Sequence, residues 1–128
     1  MRPFEEAVAA ELAGLLRAGV PARGVYITVR EMLVTRLERG PLGPREVSDA
    51  VEGAVRGAGR LVRELGAPDE LAEIVCRSAL EAVRGHGGDS ARWLTEATSA
   101  AYAVLDELAL ERPDEATWRW RAGRLPRW

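Results

Sequence analysis

The sequence predicts an all-α, single-domain protein, namely a bundle of about five helices followed by a short C-terminal helix or tail. Apolar residues recur every three or four positions in segments separated by glycine and proline, which is typical of amphipathic helices. The chain has 128 residues, the size of one domain, and its single cysteine excludes an intrachain disulfide. We therefore expect one helical bundle in residues 1–112 and a basic C-terminal segment in residues 113–128.

The first two predicted helices differ in how clearly the sequence marks them. The first begins near Pro3 and ends before Gly19, and its apolar stripe consists of Phe4, Val8, Leu12, Leu15 and Leu16. The second covers residues 22–39, where β-favouring residues at 25–29 precede apolar residues at helical spacing. We predict a helix there and keep a short strand over residues 26–29 as the alternative.

A long third helix is predicted over residues 45–65, after a break rich in glycine and proline. We expect its inward face to consist of Val47, Val51, Ala54, Val55, Ala58, Val62 and Leu65. Beside this face lies a row of small residues that would let another helix approach closely. The row consists of Ala50, Gly53, Ala54, Gly57 and Ala58. Its partner is either a neighbouring helix of the same chain or a second copy, so these residues are our candidate self-association site.

Two further helices and a short one complete the predicted bundle. Pro68, Asp69 and Glu70 open the fourth helix, which closes at Gly85. The fifth begins at Asp89 or Ser90, carries apolar residues as far as Leu108 and ends before Pro113. A sixth short helix is predicted from Pro113 to about Arg121.

Composition and charge indicate where the protein works. Residues 1–20 contain charged side chains that interrupt any signal-peptide core, and no apolar run approaches the roughly twenty residues of a membrane-spanning helix. With a single cysteine, this predicts a cytoplasmic protein. The chain has no lysine, asparagine or glutamine, which indicates a GC-rich genome or, as the alternative, thermal adaptation.

The sequence contains few residues that could support catalysis or bind a metal ion. His86, the only histidine, lies in a glycine-rich loop with Asp89 and Ser90 nearby, and such local proximity is a weak indication of a triad. We interpret Cys76 as a packing residue of the fourth helix. One cysteine and one histidine cannot form a structural zinc site. We therefore expect no enzyme activity, no cofactor and no metal.

One stretch resembles a family of DNA-binding proteins. Residues 33–51, LVTRLERGPLGPREVSDAV, are similar to the opening of bacterial winged-helix or helix-turn-helix regulators. The resemblance implies a recognition helix that follows after another short turn and enters the major groove. The sequence departs from this pattern, because residues 46–65 contain no turn signal and no basic wing follows.

The C-terminal residues 118–128, WRWRAGRLPRW, contain three of the four tryptophans and four of the eighteen arginines. From Arg112 onward there are five arginines and two acidic residues, whereas residues 1–111 have thirteen arginines and eighteen acidic residues. Tryptophan and arginine are frequent interface anchors, so we predict partner binding through Trp118, Arg119, Trp120, Arg121, Arg124 and Trp128. The alternative is that these tryptophans cover exposed apolar edges of the bundle itself while the arginines pair with its acidic residues.

These observations predict a non-catalytic helical interaction or adaptor module. We expect a protein partner, and the small-residue row is compatible with a homo-oligomer. The alternative function is a small nucleic-acid-binding regulator that uses residues 33–51 and the basic tail, in which tryptophans stack on bases and arginines meet phosphates. The acidic body would repel a polyanion, so this alternative is not favoured.

Overall fold

The computed structural model describes residues 3–39 and 43–113 and confirms the all-α prediction. The described part of the chain forms one compact bundle of six helices and contains no strand. The helices are α1 (Pro3–Arg17), α2 (Ala22–Leu37), α3 (Pro44–Leu65), α4 (Glu70–His86), α5 (Gly88–Arg92) and α6 (Leu94–Glu107). Residues 26–29 lie within α2, so the helix prediction is confirmed there.

Helix α3 is the centre of the bundle. It packs against α1, α4 and α6, while α2 packs mainly against α4. Twelve of its 22 residues are buried, which is more than one amphipathic stripe would provide. The amide of Gly43 donates to the Glu46 carboxylate at its start (3.0 Å), and Gly66 ends it in the left-handed conformation with φ 68°. Because three neighbouring helices cover it, α3 is the element around which the other helices are arranged.

Two details of the predicted elements are wrong. The structure divides the predicted fifth helix at Trp93 into α5 and α6. Helix α5 contacts α4, whereas α6 packs mainly on α3, and the chain bends at Trp93 between these two packing positions. Trp93 is half buried against the core at this bend. Leu65, which was expected to face inward, is 69% exposed, since it occupies the last position of α3, beside Gly66.

Candidate interaction surfaces

The chain leaves α6 through a turn that is fixed to the bundle. Ala109 adopts φ 55°, and the Leu110 amide donates to the carbonyl of Leu105 (2.8 Å). The Arg63 guanidinium, on α3, donates to the carbonyls of Leu108 and Ala109. A left-handed alanine is unfavourable by itself, so these contacts with α3 are what stabilise the turn.

Gly59 of α3 provides the space for this turn. A side chain at this position would overlap the Leu108 side chain, and it would lie 3.8 Å from the Leu110 Cδ1 atom. Leu110 is 8% exposed, so its apolar side chain packs on the bundle and stabilises the turn in addition to the hydrogen bonds. We call residues 108–113 the tail root.

Beyond the turn, Arg112 and Pro113 run back beside α6. The Arg112 guanidinium donates to both carboxylate oxygens of Asp106, with an Nε to Oδ1 distance of 3.0 Å, and lies 5.2 Å from the centroid of the Tyr102 ring. This ion pair lowers the pKa of Asp106. Pro113 is buried, and its carbonyl accepts a hydrogen bond from the Tyr102 hydroxyl (3.5 Å). The C-terminal segment therefore starts from a defined point on the bundle.

The predicted partner-binding residues lie outside the described residues. They are Trp118, Arg119, Trp120, Arg121, Arg124 and Trp128. The short helix predicted to run from Pro113 to about Arg121 lies outside them too, apart from Pro113 itself.

The predicted self-association residues are buried inside one chain. Ala50, Gly53, Ala54, Gly57 and Ala58 are all covered, and α1 lies against their two glycines. A Cβ atom at Gly57 would lie 2.9 Å from the backbone oxygen of Glu5, closer than real Cβ contacts. The first of the two predicted partners, a helix of the same chain, therefore occupies the row. A second copy could reach it only by displacing α1.

Ion pairs reinforce this contact between α1 and α3. The Glu5 carboxylate, 8% exposed as a residue, lies 3.4 Å from Arg60 Nη1 and 3.9 Å from Arg56 Nε. Arg56 also pairs with Glu52 of α3 and with Glu107 of α6. The hydrogen bond that Arg56 donates to Glu107 is the main reason that the pKa of Arg56 is raised. One arginine thus links three helices, and the acids it engages are neutralised within the fold.

An open groove of about 350 Å³ lies between α1 and α2. Phe4 and Met32, both half buried, and the exposed Ala7 provide its apolar surface. The charged residues of the groove are Glu11 and Glu31, together with Arg36 of α2 and Arg39 just after α2. This is a surface on which an aromatic side chain flanked by charges can bind.

The two candidate catalytic side chains lie apart in different environments. Cys76 is fully buried, and burial, assisted by the charge of Glu73, raises the pKa of its thiol to about 12. It is therefore a thiol, not a thiolate, at neutral pH. His86 lines a separate open pocket together with Asp89 and Ser90 at the ends of α2 and α4. The prediction that Cys76 serves packing agrees with its complete burial.

Carboxylates also come together at the start of α4. Burial, followed by the charges of Glu111 and Glu70, raises the pKa of Glu73. Within residues 3–39 and 43–113, no group of three or more His, Cys, Asp or Glu side chains is arranged to hold a metal ion. None of the helices described combines the length and the apolar character needed to cross a bilayer.

The segment that resembles a helix-turn-helix opening spans the end of α2 and the first part of α3. Helix α3 continues without a break to Leu65, and its buried faces contact α1, α4 and α6. Residues 52–65 thus continue α3 and do not form the short turn and separate recognition helix that the resemblance implies. The exposed residues of its first two turns include Arg45, Glu46 and Asp49, an acidic balance that does not favour contact with a polyanion.

Comparison with protein-family models, with curated proteins and with solved structures finds no match to this chain.

Proposed function

We propose that the protein is a non-catalytic helical interaction module that docks on a protein partner through its C-terminal Trp/Arg segment, residues 118–128. A second copy of the chain is one such partner. The observation that carries this proposal is the tail root. Contacts with α3 and α6 hold residues 108–113 to the bundle immediately before the segment whose composition is that of an interface anchor.

Charge supports docking on a surface like the protein's own. The segment from Arg112 onward has five arginines and two acidic residues, whereas the preceding part has an excess of five acidic residues, eighteen against thirteen arginines. Opposite charges on two copies accelerate their encounter and orient it. Arginine and tryptophan then contribute most of the binding energy when they are desolvated.

We assign the groove between α1 and α2 of the second copy as the receiving surface. Phe4 and Met32 provide the apolar contact area that an indole ring buries. Glu11 and Glu31 can accept hydrogen bonds from neighbouring guanidinium groups, and Arg36 and Arg39 balance these two charges in the groove. A fifteen-residue extended segment after Pro113 spans up to about 50 Å, whereas a folded domain of this size has a radius of gyration of about 14 Å. The segment is thus long enough to reach a neighbouring bundle.

A peptide-binding experiment tests this assignment. A fluorescent peptide with the sequence of residues 114–128 is titrated with the full-length protein, and its anisotropy is measured. Ala7→Arg places a bulky cation in the groove, whereas Ala10→Arg places the same side chain on an exposed part of α1 outside the groove. We expect Ala7→Arg to weaken peptide binding at least about tenfold, the loss typical of one anchor contact, and Ala10→Arg to leave it unchanged.

Equal affinities for the two variants would refute the groove assignment. A wild-type protein that fails to bind the peptide would refute docking on a second copy.

A further inference from the structure

We propose that the pocket at the C-terminal ends of α2 and α4 binds a guanidinium group. The pocket has a volume of about 520 Å³, is open to solvent and lies away from the groove between α1 and α2. Its polar and aromatic lining consists of Glu38, His86, Asp89, Ser90 and Trp93. The pocket shares no lining residue with that groove, so its occupancy is tested separately from the groove assignment.

Two helices end at this pocket with the same polarity. The Ser78 hydroxyl of α4 donates to the Tyr26 carbonyl of α2 (2.6 Å), which fixes how the two helices lie side by side. From these residues both chains run towards the pocket, α2 over roughly 16 Å to Leu37 and α4 over roughly 12 Å to His86. The helices are therefore parallel, and the negative ends of both dipoles point at one place.

The side chains add to this negative potential. Glu38 caps the end of α2 and Asp89 follows the end of α4, one from each side of the pocket. Neither arginine nor lysine is among the residues described as lining it. Asp89 lies 3.6 Å from Arg92, but both side chains are largely exposed, and such surface pairs exchange partners at little cost. A cation is the ligand that this arrangement favours.

Two residues distinguish a guanidinium from a simple metal cation. Trp93, half buried at the bend between α5 and α6, lines the pocket, and indole is the side chain on which a planar guanidinium stacks best. Ser90 lines the pocket as well, so its hydroxyl can accept a hydrogen bond from a ligand N–H.

The guanidinium has two possible sources with the same chemistry. One is a free guanidinium compound, and the other is an arginine of the segment after Pro113, which contains Arg119, Arg121, Arg124 and Arg127. Both place five N–H donors opposite carboxylates and a hydroxyl. Competition between the two sources distinguishes them.

The test is a calorimetric titration of the full-length protein with methylguanidinium chloride. Glu38→Gln removes one carboxylate from the pocket, and Glu81→Gln removes an exposed carboxylate of α4 that lines neither this pocket nor the groove between α1 and α2. We expect the wild type to bind one equivalent, Glu38→Gln to bind at least about fivefold more weakly, and Glu81→Gln to match the wild type. Trp93→Leu should weaken binding as well, and circular dichroism reports whether that variant is folded.

A further variant identifies the source. In the full-length chain, the four arginines after Pro113 are replaced by serine. Tighter binding of methylguanidinium by this variant means that an arginine of the segment occupies the pocket, whereas unchanged affinity means that the pocket takes a free compound. Absence of binding in both proteins, or equal affinities of Glu38→Gln and Glu81→Gln, would overturn the proposal.

Discussion

The packing of α1 on the small-residue row of α3 makes a quantitative prediction for two neighbouring glycines. In Gly57→Ala, the new methyl group would lie 2.9 Å from the Glu5 oxygen and 3.3 Å from the Ala9 nitrogen, both backbone atoms of α1. In Gly53→Ala, the nearest atoms of α1 would lie 3.6 Å away, which is ordinary contact. The first substitution must push a helix backbone aside, whereas the second fills space that is already there.

The free energies follow from these distances. Each glycine lies inside a helix, so alanine contributes about 1 kcal/mol of helix propensity at either position. Overpacking at Gly57 costs about 1–3 kcal/mol. We therefore expect Gly53→Ala to raise the free energy of unfolding by up to about 1 kcal/mol, and Gly57→Ala to fall below Gly53→Ala by about 1–3 kcal/mol. The propensity gain is common to both variants and cancels in the comparison.

Urea denaturation followed by circular dichroism measures both variants against the wild type, at two protein concentrations. A Gly57→Ala protein as stable as Gly53→Ala would refute the close approach of α1. If a second copy and not α1 covered the row, the penalty would grow with protein concentration. We expect it to be independent of concentration.

Two further predictions concern titratable groups of α4. The pKa of Glu73 is raised in the folded state, so the folded protein binds more protons than the unfolded chain just above the ordinary pKa, and stability falls as the pH rises through that range. Glu73→Gln should therefore be more stable than the wild type at neutral pH, by less than about 1 kcal/mol, and no more stable than the wild type at about pH 4. Glu81→Gln, which replaces an exposed carboxylate of the same helix, is the control. An equal gain in stability of Glu73→Gln at both pH values would contradict the reasoning. The Cys76 thiol, with a pKa of about 12, should not react with an aromatic disulfide reagent at neutral pH until denaturant is added, and rapid reaction of the folded protein would show that the side chain is accessible.

Much of the secondary structure could be predicted because its causes are local. Helix α3 begins at Pro44 and ends at Gly66, and both residue types act within one turn. The bend at Trp93 could not be predicted, because neither glycine nor proline marks it and the reason is a change of packing partner from α4 to α3. The exposure of Leu65 could not be predicted either, because this residue continues the helical spacing of the apolar stripe but lies beyond the tertiary contacts that bury the stripe.

The candidate sites show the same division. Composition alone identified the small-residue row, but only tertiary structure assigns its partner, because α1 precedes Gly57 by some forty residues. The pocket joins Glu38 to His86, which are far apart in the sequence, and depends on α2 and α4 being parallel. The spacing of apolar residues along two helices does not indicate whether those helices are parallel or antiparallel.

The most direct test of the central claim is the mass of the protein in solution, measured by light scattering across a range of protein concentrations. Arg119→Ser with Arg121→Ser removes two charges from the C-terminal segment, and Arg17→Ser with Arg23→Ser removes two exposed charges from the bundle. We predict that the wild type and the bundle variant associate as the concentration rises, while the segment variant remains monomeric. A wild-type protein that remains monomeric at every concentration, or one that instead binds DNA or RNA in a strongly salt-dependent manner through the same arginines, would contradict the account.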